Sequence, residues 1–447
     1  MYFLSKLENK FFLLLSLIIL FLFFKIFIFF DHYPLHDEII SFDRYLDWHR
    51  VLRKDVPNNH LLTSLLGNVL KYFFGFNFLL LRSISFCFLI LILIYFTKIF
   101  KNSYFLFSLF LIIFSSDIIF NYSYLFRGYY LSSFLTVIIF HEINQIFIKK
   151  NNNNLRLLFI INFLLFIHSL YTIYIILPIF VVIFFELLKE KKIRSHINNF
   201  IIFFLIPTLI VTYLNIFVTG FAEKFSNNLN INYILNNFFI IIKNTFLPGF
   251  NSIFLNEYVN NQNSISIFQN IEAVCLNLFN KHFELFLLLA ISLMISIVKI
   301  FSNNRNIFDK IIFVFFVFFI FLNKDPFTRV YVGIIYFFIF YIFFNLQFLK
   351  IFLSNNNKFI IFSKYFLFLF FLYNLYTVQP NIKYQQLKSE IIKINNIDTT
   401  CENYNKLLTQ YEIWIFINFY PNICFYYYDG ENNVLSSTKI NSLYKKR

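Results

Sequence analysis

Glycine and proline are scarce in this chain, 7 and 8 among 447 residues. Transporters that unwind their helices at mid-membrane use such residues at the breaks, so the scarcity argues against that architecture. No internal repeat is visible, which weighs the same way. Charge is short too: Asp, Glu, Lys and Arg make up 14% against 59% hydrophobic residues, and the mean hydropathy is +0.67. Soluble globular domains carry about a quarter charged residues, so that class is excluded. The four cysteines, Cys87, Cys275, Cys401 and Cys424, lack the close spacing of a zinc or redox motif. Only Cys401 and Cys424 share one polar segment, where an extracytoplasmic disulfide and two reduced structural thiols are both open readings.

What abounds is phenylalanine, 73 residues, together with Ile, Asn and Lys. The mixture fits a coding bias toward A and T, so a single Phe reads as apolar filler rather than as an aromatic site. The net charge of +15 does not point to nucleic acid. The basic residues are spread through short connections between apolar runs, where they set membrane orientation. Together these features predict an all-α polytopic membrane protein. Its first apolar run, near 11 to 30, has no small-residue cleavage site after it and is expected to be a retained span.

Further spans are expected near 78 to 97, 103 to 120, 129 to 148, 197 to 217, 283 to 300, 311 to 323, 330 to 349 and 359 to 378. The run from Leu157 to Leu188 is too long for one comfortable helix and short for two. Its flanks, KKNNNNLR at 149 to 156 and KEKKIRSH at 189 to 196, are both basic, and the positive-inside rule puts both in the cytoplasm. The run is therefore expected to be a hairpin turning near His168 and Ser169. That makes about eleven transmembrane helices, with the N-terminus inside and the C-terminus outside. In the first outer loop, HDEIISFDRYLDWHRVL and NNHLLTSLLGNVLKYFFG are expected as two helices along the membrane surface. Residues 1–379 then form the transmembrane domain and 380–447 a small extracytoplasmic segment.

Every chemically interesting stretch falls on the outer face. Asp37 and Glu38 are adjacent at the start of the first surface helix, where their side chains diverge by about 100°. They read either as a carboxylate facing a cavity beside one meeting solvent or a cation, or as acidic residues of a first helical turn. Asn59 and His60 open the second surface helix, as site residues or as cap and interfacial side chain. Arg82, near the outer end of its span, is a snorkelling cation or one placed for a purpose. Arg127 precedes Gly128, Tyr129 and Tyr130; a planar, permanent cation suits a phosphate, and glycine lets a ligand approach. His168 and Tyr171 lie at the hairpin turn, where an aromatic belt is the other reading. Arg329 lies at a later outer turn with Lys324 and Asp325, against the usual inside bias. An acidic pair and several cations at one depth suit a membrane-anchored phosphate donor: a base deprotonates a hydroxyl, the hydroxyl attacks a sugar carbon, and cations steady the departing phosphate.

The order of HDE, NNHLLTSLL, LRSIS, LFRGYYL, HSLYTIY and DPFTRVY resembles the polytopic GT-C glycosyltransferases that use polyprenyl-phosphate sugars. The nearest branch holds the dolichyl-phosphate-mannose protein mannosyltransferases and the lipid A aminoarabinose transferase. The likeness covers residues 1 to 190 and, beyond them, the topology and the Arg329 turn. Phe126 stands where the family has a small residue, Leu61 where a proline is common, and Ser83 with Ile84 where it has Leu-Pro. The resemblance implies Asp37 as catalytic base, with Glu38 assisting or binding a metal. It gives the lipid phosphate to Arg127 and Arg82 and the sugar site to His60, with Asn59, Tyr129, His168, Tyr171 and Arg329 as further substrate contacts. The reaction implied is inverting transfer to a glycan, lipid or protein acceptor at the periplasmic side of a bacterial inner membrane. A divalent cation is used by some members of the superfamily, and no ligand cluster in this sequence demands one. The alternatives are a lipid-linked oligosaccharide polymerase, ligase or flippase, and a non-catalytic transporter. The former would carry its arginines in later outer loops, and the loop 218 to 282 is poor in them.

Overall fold

The computed structural model describes residues 38, 41, 42, 46, 48, 60–100, 103–150, 155–168, 172–189, 193–209, 275, 276, 279, 283–302, 305–322, 332–353, 426–428 and 434–436. The expected spans 11 to 30 and 359 to 378 lie outside these residues, as do most of the first surface helix, Cys401 and Cys424.

Long apolar runs close their backbone hydrogen bonds along the chain, and the described ones are helices. α1 (Leu61–Phe74) is the second expected surface helix. It stops at Gly75, whose φ of +74° is closed to most side chains and whose N–H reaches the Lys71 carbonyl. α2 (Phe78–Ile99) is capped by Asn77, whose side chain accepts from the Leu80 N–H at 3.1 Å. The run expected as one span from 103 to 120 is two helices, α3 (Ser103–Ser115) and α4 (Asp117–Tyr124). Ser116 between them is extended and its hydroxyl accepts from the Ile119 N–H, so one serine ends a helix and caps the next.

After an irregular stretch at 125–128, α5 (Tyr129–Ile143) continues through a π-helical turn, Asn144–Ile148. The 157 to 188 run divides into α6 (Leu155–His168) and α7 (Ile173–Lys189). α8 (Ile193–Phe200) also passes into a π-helical turn, Ile201–Leu205. α9 (Phe283–Phe301), α10 (Ile307–Leu322) and α11 (Val332–Leu353) follow. In the tail, β1 (Tyr426–Tyr428) pairs antiparallel with β2 (Val434–Ser436), Tyr427 opposite Leu435.

α5 is the centre of the bundle, packed against α2, α6 and α11. It runs parallel to α11: the Ser133 hydroxyl donates to the Val332 carbonyl at 2.6 Å, and later in both helices Phe140 meets Phe337, while the Tyr130 and Tyr336 hydroxyls meet at 3.0 Å. Tyr130 also reaches the Ile119 carbonyl of α4 at 2.8 Å. Farther along, the Phe140 ring stacks on Phe308 with centroids 4.0 Å apart and meets Phe337, Phe340 and Phe344 edge-on. Aromatic edges on faces fill the seam that a helix with only aliphatic residues would fill by volume alone.

The two ends of the bundle differ in charge. At one, Lys310 pairs with Glu186, which Lys189 also approaches, Lys299 donates to Asn345, and Lys98 lies over the Tyr95 ring, itself edge-on to His141. Asp309 is buried there and accepts from the Tyr341 hydroxyl at 2.8 Å. The other end holds the arginine-bearing segments described below. Two of the described helices, Leu79–Ile99 and Tyr129–Ile148, are long and apolar enough to cross a membrane, with mean hydropathies of 2.5 and 1.5.

Phe140→Ala is expected to lower stability by about 3 kcal/mol through the void left between α5, α10 and α11. Phe313→Ala, at a side chain 40% exposed, should leave the detergent melting curve near wild type. Equal shifts for the two would show that Phe140 does not hold this seam.

Candidate functional site

The stretch Leu125–Gly128, between α4 and α5, is where distant residues meet. Arg82 sits in the second turn of α2 and is fully buried. Its Nε donates to Glu38 Oε1 at 3.0 Å and its Nη2 to Glu38 Oε2 at 2.6 Å, a fork-on-carboxylate arrangement. The same Oε1 accepts the Phe126 N–H at 2.6 Å. One carboxylate therefore joins the segment after the first apolar run, α2 and the 125–128 stretch. The guanidinium carbon also lies 5.6 Å from the centre of the Tyr124 ring. Arg82 does not snorkel: its charge is answered inside the protein, with both side chains at 0% exposure.

One helical turn past Arg82, Ser85 donates its hydroxyl to the Leu125 carbonyl at 2.6 Å and stands 3.4 Å from that of Arg127. Residues three apart share a helix face, so Arg82 and Ser85 grip the same stretch from below. The Arg127 N–H turns back to the Leu125 carbonyl at 2.7 Å. Its side chain is buried, and Nη1 donates to Ser41 Oγ at 2.8 Å. Two guanidinium groups and one carboxylate thus lie under a single short stretch of backbone.

The other wall is aromatic. His60, the N-cap residue of α1, packs edge-on to Tyr129 with centroids 4.6 Å apart and lies 5.3 Å from His168. Tyr129 in turn meets Tyr122 edge-on at 4.7 Å. His168, the last residue of α6, is fully buried; its Nε2 is 2.8 Å from the Gly128 carbonyl and its Nδ1 accepts the Leu62 N–H at 3.2 Å. Gly128 must be glycine for reasons of space. A Cβ there would fall 2.4 Å from the His168 ring and 2.4 Å from His60 Cβ.

Of the residues the sequence marks, Glu38, His60, Arg82, Arg127, Tyr129 and His168 come together. Asp37, Asn59, Tyr171 and Arg329 lie outside the described residues. Glu38 meets a cation, Arg82, as one reading of the acidic pair has it, and both ring nitrogens of His168 are engaged with backbone. Ser41 and Ser85 are further members. Ser85 had a signal, its i+3 spacing from Arg82 in LRSIS; Ser41 had none. Among the described residues no group of three or more His, Cys, Asp or Glu side chains is placed to hold a metal ion. Chemically the arrangement gathers two buried guanidinium groups, cations whose planar fork of donors matches carboxylate and phosphate oxygens. No protein family model, curated protein or solved structure matches the chain.

Arg82→Leu leaves the Glu38 carboxylate buried without its counter-ion and is expected to cost about 3–5 kcal/mol. The double variant Glu38→Leu with Arg82→Leu removes both charges and should regain much of that loss in detergent melting curves. A double variant no more stable than the single one would show that the pair is not the main partner of either group.

Proposed function

We propose that the chain is an integral membrane glycosyltransferase of the GT-C kind with about eleven spans. In this reading it moves a hexosyl or pentosyl group from a polyprenyl-phosphate carrier to an acceptor hydroxyl at the extracytoplasmic face. The observation that carries it is the meeting of Glu38, His60, Arg82, Arg127 and His168, from separated stretches of sequence, around one turn at one end of a helical bundle. The lysines gathered at the opposite end suit a cytoplasmic face under the positive-inside rule, which leaves the arginine end outside.

α1 supports the membrane setting. It turns Thr63, Ser64, Gly67 and Asn68 inward and leaves Tyr72, Phe73 and Phe74 at 76%, 70% and 68% exposure. Water penalises such an inverted helix, whereas lipid at the interface stabilises it.

The chemistry follows from the residue types. The acceptor hydroxyl gives its proton to the Asp37 carboxylate as its oxygen bonds to the anomeric carbon. On the opposite side of that carbon the bond to the phosphate oxygen breaks, the phosphate keeps the electron pair, and the configuration inverts. Arg127 receives the developing charge on the phosphate. Glu38 and Arg82, neutralising each other, hold the turn that carries Arg127.

In membranes supplied with a radiolabelled polyprenyl-phosphate sugar, Asp37→Asn and Arg127→Ala are each expected to lower transfer by about a hundred- to ten-thousand-fold. Transfer that survives Asp37→Asn would remove the base from this mechanism. In a cysteine-free background, Asn77→Cys and Lys150→Cys should react with a membrane-impermeant thiol reagent from opposite sides. Labelling of both from one side would break the topology on which the extracytoplasmic site depends.

A further inference from the structure

We infer that His168 is a positioning residue that caps α1 from another helix and so fixes where His60 and the Arg127 turn stand relative to each other. The first N–H groups of a helix have no partner within it, and the residue before the helix normally supplies one through its side chain. His60 occupies that place and makes no such bond. The Leu62 N–H instead donates to His168 Nδ1, 106 residues away in sequence, at 3.2 Å.

The other ring nitrogen completes the link. A carbonyl only accepts and an N–H only donates, so Nδ1 must be the acceptor and Nε2–H must donate to the Gly128 carbonyl at 2.8 Å. Only the neutral imidazole with its proton on Nε2 satisfies both. The ring is thus held at both nitrogens, between the start of α1 and the residue that begins α5. It is also held from behind: the Thr172 hydroxyl donates to the Leu165 carbonyl at 3.1 Å and secures the last turn of α6, which carries His168. Gly128 leaves room for this ring and for His60 Cβ and for nothing more. The inverted helix α1 therefore meets the arginine turn through one side chain with matched donor and acceptor. In the glycosyltransferase reading, on which only the activity arm below rests, His168 does not touch sugar or phosphate and acts through His60 and Arg127.

The test uses the full chain in lipid nanodiscs and two variants. His168→Phe fills similar volume and loses both hydrogen bonds; His168→Gln carries an acceptor and a donor on one side chain. Hydrogen exchange across residues 61–66 is expected to be about tenfold faster in His168→Phe, the effect of losing one protecting hydrogen bond, and close to wild type in His168→Gln. Peptides from α11 should exchange as in wild type in both. In the transfer assay, the KM for the lipid-linked donor should rise in His168→Phe and return in His168→Gln. Unchanged exchange in His168→Phe, exchange in His168→Gln as fast as in His168→Phe, or equal acceleration in α11 would each overturn the proposal. Absence of transfer in the wild-type protein would strike the glycosyltransferase reading and leave the exchange result to decide the role of His168.

Discussion

A carboxylate and a guanidinium shut away from water are tolerable only while each fully answers the other, and the Glu38–Arg82 pair imposes that condition on everything around it. Both oxygens of Glu38 are occupied, one of them twice, because it also takes the Phe126 N–H. The segment after the first apolar run cannot drift from α2 without breaking both hydrogen bonds of this ion pair, and the 125–128 stretch cannot drift from Glu38 without losing the Phe126 bond. Arg127 is therefore positioned by an ion pair it does not belong to. Ser85 adds a second grip on the same stretch from the same face of α2.

Away from that polar knot, apolar faces packed around a few buried hydroxyl links make up the bundle, and rings fill the seam between α5, α10 and α11. Reading single phenylalanines as filler is too coarse for Phe140, which meets several rings at once. The distinction depends on neighbours from helices far along the chain, and no local window contains them.

Much of the helical layout was legible beforehand because hydropathy and flanking charge act over whole segments. Basic flanks on both sides of the 157–188 run point to a division, and the run is two helices, α6 and α7. The break at Ser116 was not legible, since one serine barely alters a window average while its hydroxyl suffices to cap a helix. Glu38, His60, Arg82, Arg127, Tyr129 and His168 were legible as residue types, but not as a set of contacts. Glu38 and Arg82 stand 44 positions apart, and charges near the ends of apolar runs ordinarily read as solvated. His168 was marked for its place at a turn; that its ring bridges two backbones depends on how closely α1 approaches, which pattern alone does not specify.

The meeting of Tyr130 and Tyr336 has a directional consequence. A phenol has one proton, and Tyr130 gives its own to the Ile119 carbonyl, so Tyr336 must be the giver where the two hydroxyls touch. Polarity thus runs one way across three helices, from α11 through α5 to α4, and it works at a single axial offset. Sliding α11 by one residue, about 1.5 Å, would pull the chain of hydroxyls apart. An axial slide of α11 therefore costs hydrogen bonds, about 1 kcal/mol each, that a tilt keeping the hydroxyls in register does not.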